Sequence, residues 1–244
     1  MTTVSLADVD VYRGLMGDLT DMMTRDINNA LRGTSHLPVR QQQRYMEDAY
    51  PEIWTPYASS AGELAASWYK RSAPELAYNV ATLLLPQPRT VAGQVAWAFA
   101  QHAATHLLLA AAQRDLWNEF RQTISSNAAN EQGAKWARHA SANACRFCQM
   151  TATRGPVYSS KKTATQGSLK TRGRGSNMVV IRRAGGKYHK NCHCIAVPVR
   201  PGQDYEPPAY VEKWNEDYET AVKLGGGDRE QTAVMAGYRL LDKK

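Results

Sequence analysis

Acidic residues are missing from a long stretch of this chain. No Asp or Glu lies between Glu131 and Asp204, while fourteen Lys or Arg fall within 132–203. The 244 residues carry a formal net charge of +8 in all, so the chain outside that window is net acidic. Such asymmetry argues for contact with an anion, either nucleic acid or an acidic protein face; the plainer alternative is a solvated basic surface. Cysteine is also scarce. The four Cys residues all sit in "CRFC" (145–148) and "YHKNCHC" (188–194). Long apolar runs are absent as well. The most apolar window, "VAWAFAQHAATHLLLAAA" (95–112), is interrupted by Gln101, His102 and His106, so it reads as a buried helix, not a membrane span. The opening "MTTVSLADVDVYRG" lacks the basic and apolar regions of a signal peptide. A reducing cytosol is therefore expected, where clustered cysteines are metal ligands sooner than disulfides. His102 and His106 share a helix face but enclose "AAT" without a glutamate, which predicts a partly buried structural pair. "GRGS" and "AGGK" have neither P-loop nor dinucleotide-binding spacing.

What is present in the first half is helical periodicity. Leu6, Val9, Tyr12, Met16, Leu19, Met23, Ile27 and Leu31 recur at three- and four-residue steps and predict a helix over 5–32, with Gly33 as its C-cap. A second helix is expected from Pro38, with Tyr45, Ala49, Ile53, Tyr57 and Leu64 along its inner face and a break or kink at Pro51 and Pro56. Short helices follow at 62–72 and 74–84. The longest pattern covers 90–126 and is rich in good helix formers. Another short helix, 129–143, leads into Cys145. Trp54, Trp68, Trp97, Trp117 and Trp136 are read as core residues.

After Cys148 the texture changes. "GPVYSS", "NMVVIRR" and "CIAVPV" read as strands. Between the first two, "KKTATQGSLKTRGRGSN" (161–177) can bury little apolar surface, which predicts a mobile basic loop over about 160–178. Residues 200–208 read as a linker, 209–223 as an amphipathic helix on Val211, Trp214, Tyr218 and Val222, 225–227 as a hinge, and 228–241 as a closing helix with Asp228 as N-cap. The expected fold is mainly α, with a small α+β zinc-stapled C-terminal region. It comprises a helical body (1–143), a strand region of short antiparallel strands around a Cys/His cluster (144–200) and a helical tail (201–244).

The cysteines carry the chemistry. Zn²⁺ takes four ligands in a tetrahedron, and a C-x-x-C turn aims two sulfurs at one ion. Cys145 and Cys148 have that spacing. His189, Cys192 and Cys194 offer three more donors, which makes five candidates for four places. The first choice is Cys145, Cys148, His189 and one of Cys192 or Cys194; an all-cysteine set is the second. Ligands to spare, and no acidic residue nearby to act as base, point to a structural Zn²⁺ and not a catalytic one. Lys161, Lys162, Lys170, Arg172, Arg174, Arg182 and Arg183 are the candidate contacts to phosphate, suited to sequence-independent, salt-sensitive binding.

"CRFCQMTATRGPVYSS" followed by "GGKYHKNCHCIAVPV" resembles the C-terminal motif of the MuF-like minor capsid proteins, the phage head morphogenesis family, in the form carried by tailed phages of actinobacteria. The motif region 145–199 is the specific part; the helical half would suit many proteins. The resemblance implies a minor structural protein of the virion. It would be assembled in the host cytoplasm at the portal vertex or capsid interior, with the portal protein, other head proteins and packaged DNA as partners, no membrane and no catalytic role. Two other classes compete. A zinc-dependent nuclease would use His189 or His193 as base and cleave DNA with a divalent ion; a zinc-knuckle DNA-binding protein would prefer one DNA sequence.

Overall fold

The computed structural model describes residues 2–83, 86, 88–101, 103–157, 171–172, 179–180 and 193–243. Within these the elements run β1 (Thr2–Thr3), α1 (Leu6–Gly33), α2 (Val39–Ser72), α3 (Pro88–Ala100), α4 (Ala104–Asn130), β2 (Lys135–His139), α5 (Arg146–Ala152), β3 (Thr171–Arg172), β4 (Val179–Val180), β5 (Ile195–Val199), β6 (Gln203–Asp204), α6 (Tyr210–Leu224) and α7 (Gln231–Leu241). The protein is mainly helical with short strands. None of its described helices is long and apolar enough to cross a membrane.

Helices α1 to α4 pack around one core. Helix α1 starts where Ser5 Oγ accepts the Asp8 amide, and it buries Val9, Tyr12, Met16, Met23, Ile27 and Leu31 on the predicted stripe. Its C-cap is Thr34, with Gly33 still helical. Helix α2 runs through Pro51 and Pro56 without ending. Each proline costs roughly 3 kcal/mol in a helix interior; fully burying the large side chains of Tyr50, Trp54 and Trp68 offsets it, at about 1.5–3 kcal/mol each. The inner face of α2 is Met46, Tyr50, Trp54, Ala58, Ala61, Ala65 and Trp68, about one residue round from the expected one, and Tyr45 is exposed. Residues 62–72 belong to α2, and 74–83 are not helical.

The long pattern at 90–126 is two helices, α3 and α4. An unbroken helix from 88 to 130 would extend ~65 Å, far beyond the core; instead α3 ends at Ala100 and α4 begins at Ala104, and both pieces pack on α2. Four of the five tryptophans are buried as expected, but Trp97 is 49% exposed.

The predicted helix 129–143 is a strand instead. Gly133, at φ 81°, turns the chain out of α4, and β2 then pairs antiparallel with β5, Trp136 opposite Pro198 and His139 opposite Ile195. Every residue of β5 is buried, and this tertiary pairing overrides the helix propensity of the alanines. β1 and β6 pair in parallel. Thr171–Arg172, inside the expected basic loop, pairs with Val179–Val180 of the expected strand "NMVVIRR" as a short antiparallel ladder. "GPVYSS" is not a strand over its described residues 155–157.

Two anchors close the structure. Arg200, buried in the segment read as a linker, donates to both carboxylate oxygens of Glu131 and to the Ala73 carbonyl at the end of α2. The Gly225–Gly227 segment is a tight turn: it joins α6 to α7, and a side chain on Gly225 would strike the Ala233 backbone. Asp228 Oδ1 accepts the Glu230 amide just ahead of α7.

Candidate functional site

The two halves of the cysteine motif meet at one end of the β2–β5 ladder. Continuing the register one step past His139–Ile195 sets Ala140 beside Cys194. From Ala140 the chain makes a turn, in which the Ala144 amide donates to Ser141 O at 2.9 Å, and enters α5 with Cys145 as N-cap. Cys148 lies one turn further on, facing inward with Ala152 one turn beyond. Cys148 and Cys194 consequently share one small cluster with Ala140, Ala152, Val211 and Trp214. Cys148 and Cys194 are buried, whereas Cys145 is exposed.

Three neighbours position this corner. From α4, Arg121 Nε donates to the Cys194 carbonyl at 2.7 Å, and Trp117 stacks on the His193 ring with centroids 5.2 Å apart. From α6, Tyr210 Oη donates to the Ala140 carbonyl at 2.7 Å, while its ring packs on Trp214. Sequence reading missed the residues between the cysteines. Arg146 pairs with Asp217 of α6 and with Asp242 at the C-cap of α7, both at 2.6 Å. Phe147 touches the cysteine cluster and a second apolar cluster, Met150, Ala221, Val222, Val234 and Tyr238. "CRFC" thus places cysteines on the corner and uses its middle pair to fasten the α6–α7 hairpin.

The basic window is partly spent on folding. Arg138 and Arg200 are buried, the former with its guanidinium 5.8 Å from the Phe147 ring centre, and Arg146 is held by two carboxylates. The charge available to a partner is therefore smaller than the count of fourteen suggests. Lys161, Lys162, Lys170, Arg174, Arg182 and Arg183 lie outside the described residues, and only the backbone of Arg172 is described, in β3.

Of the metal candidates, His189 and Cys192 lie outside the described residues. Among the described residues no three His, Cys, Asp or Glu side chains converge as a metal site. The structure brings together Cys148 and Cys194 and puts Cys145 at the N-cap of the helix that carries Cys148; these are soft donors, of the kind Zn²⁺ takes. His139 belongs to a different setting. It is buried, its Nδ1 lies 2.9 Å from Tyr205 Oη, and burial, reinforced by Arg13, pushes its pKa down to about 4. It is a neutral core histidine at pH 7. His106, expected to be partly buried, is exposed, and His102 lies outside the described residues.

No curated protein matches the chain. No solved structure matches it either. A protein family does, over residues 3–221. That match spans the four-helix body, the cysteine corner and nearly all of α6, the whole arrangement just described except the closing helix. This chain belongs to the VG15 protein family, a family of viral, phage-borne proteins.

Proposed function

We propose that this protein is a minor structural component of a tailed-phage head, associated with the portal and with the packaged genome, and that a structural Zn²⁺ closes its cysteine corner. The observation that carries the reading is the corner itself. Two cysteines from the two halves of the motif share a buried cluster beneath Trp214, in a chain whose family is viral. The motif's resemblance to MuF-like minor capsid proteins supplies the finer role.

Four of Cys145, Cys148, Cys194, His189 and Cys192 would hold the metal. Bound there, Zn²⁺ would cross-link segments that have little core of their own and so contribute directly to folding. The chain's own residues do the rest: Arg121 fixes Cys194, and Arg146 ties α5 to the tail. Lys161, Lys162, Lys170, Arg172, Arg174, Arg182 and Arg183 would meet DNA phosphates, where the acid-free sequence leaves nothing to repel them.

The test is co-expression of the tagged chain with the portal protein of the same phage, together with a search for the chain in purified virions. Retention of portal on the tagged chain, and presence in virions, is the expected result. A chain that is absent from virions and retains no portal would overturn the assignment.

A further inference from the structure

The first turns of α1 and the last turns of α2 enclose a groove of about 250 Å³, lined by Asp8, Val11, Leu15, Leu64, Ser67 and Arg71 over the Tyr12–Trp68 pair. The floor is rigid: Tyr12 and Trp68 stack with centroids 4.6 Å apart and planes within 15°. The lip is apolar and open. Val11 is 57% exposed, Leu15 41% and Met22 44%. Helical geometry puts all three on one face of α1. Single exposed apolar residues need no explanation, but three on one helix face beside a groove mark an interaction surface.

The charges around the strip have a sign. Asp8, Asp18 and Asp21 are exposed on α1; the facing wall of α2 carries the exposed Arg71. From Asp8 to Met22 the strip is ~21 Å long, four helical turns. A ridge of one helix seats in the groove between two others, and apolar anchors at i and i+4 suit that mode of docking.

We propose that the α1–α2 groove seats an amphipathic helix of a partner protein. Its apolar ridge packs on Val11, Leu15 and Leu64, and Lys or Arg along one flank faces the aspartates of α1. This surface is remote in sequence from the cysteine corner and does not depend on the portal assignment.

The test uses the full-length protein and two fluorescein-labelled synthetic helices of about 18 residues, four to five turns. Both carry leucines at i, i+4 and i+11; one has lysine along a single flank, the other glutamate there. Fluorescence anisotropy is expected to show binding of the lysine peptide only. Leu15→Asp is expected to weaken it at least tenfold, with circular dichroism unchanged because Leu15 is a lip residue. Asp18→Lys, a second surface variant, is expected to weaken the lysine peptide and admit the glutamate one. Failure of the lysine peptide to bind, equal binding of both peptides, or unweakened binding to Leu15→Asp would each overturn the proposal. The last result would mean plain attraction to negative charge, since that substitution adds an acid.

Discussion

Replacing Arg200 by alanine should be among the most damaging single changes in this protein. The side chain is 1% exposed. Its Nε and Nη2 form a two-pronged bond to Glu131 at 2.9 and 2.6 Å, and Nη1 donates to the carbonyls of Ala73 and Tyr69 at 2.6 and 3.3 Å. Tyr69 Oη donates to the same carboxylate at 2.7 Å. Burial first, and then that bond, raise the Tyr69 pKa above its ordinary value, so the phenol stays a donor. The guanidinium thus satisfies the last carbonyls of α2, where the helix dipole favours a cation, and neutralises a carboxylate at the C-cap of α4. Arg200→Ala strands that buried carboxylate and opens a cavity, at about 3–5 kcal/mol. At roughly 2–4 °C per kcal/mol for a chain of this size, Tm should fall by about 10 °C. Urea unfolding followed by tryptophan fluorescence reads the loss directly. The double variant Arg200→Met with Glu131→Gln leaves no unpaired charge, so it should cost less than the two single changes added together. An Arg200→Ala loss below about 1 kcal/mol would refute the reasoning, because only a solvated ion pair is worth so little.

Two further outcomes follow from the packing. His139 is neutral when folded, and its pKa is held near 4 against an ordinary 6.5. Its contribution to stability is therefore complete above pH 6.5 and is lost as pH falls toward 4, by up to about 3 kcal/mol at 1.36 kcal/mol per pKa unit. His139→Gln should flatten the slope of unfolding free energy between those pH values, measured in urea, and an unchanged slope would contradict the assignment. Gly237 lies where any Cβ would collide with the Ala221 carbonyl. Gly237→Ala should force α6 and α7 apart at about 1–3 kcal/mol, so that α7 amides exchange faster while those of α1 to α4 do not; equal protection in both proteins would contradict that close approach.

How much of this was legible in the sequence differs by element. In α1 the regular three- and four-residue spacing picks out Val9, Met16, Met23 and Ile27, even though the exposed Val11, Leu15 and Met22 stand near or beside them. In α2 apolar residues stand side by side, Tyr45 with Met46 and Tyr57 with Ala58, and pattern alone cannot say which of each pair faces in. Close packing selects Met46, Ala58, Ala61 and Ala65. β5 is a continuous apolar run and was readable; β2 is not, because only its partner makes it a strand. Arg121, Arg138 and Arg200 look like surface charges in sequence, and each is defined by groups distant along the chain. The cysteine corner was legible as spacing, and the structure adds that Cys148 and Cys194 are neighbours in one cluster. The role of Arg146 and Phe147 in holding the tail could not be read, since their partners lie in α6 and α7.

The measurement that tests the central claim most directly is the zinc content of the natively purified protein, set beside Cys148→Ser and Cys194→Ser. A structural site closed at this corner predicts about one zinc per wild-type chain, loss of that metal in both variants, and a lower Tm after chelation. A metal-free wild-type chain whose stability ignores chelator would contradict it.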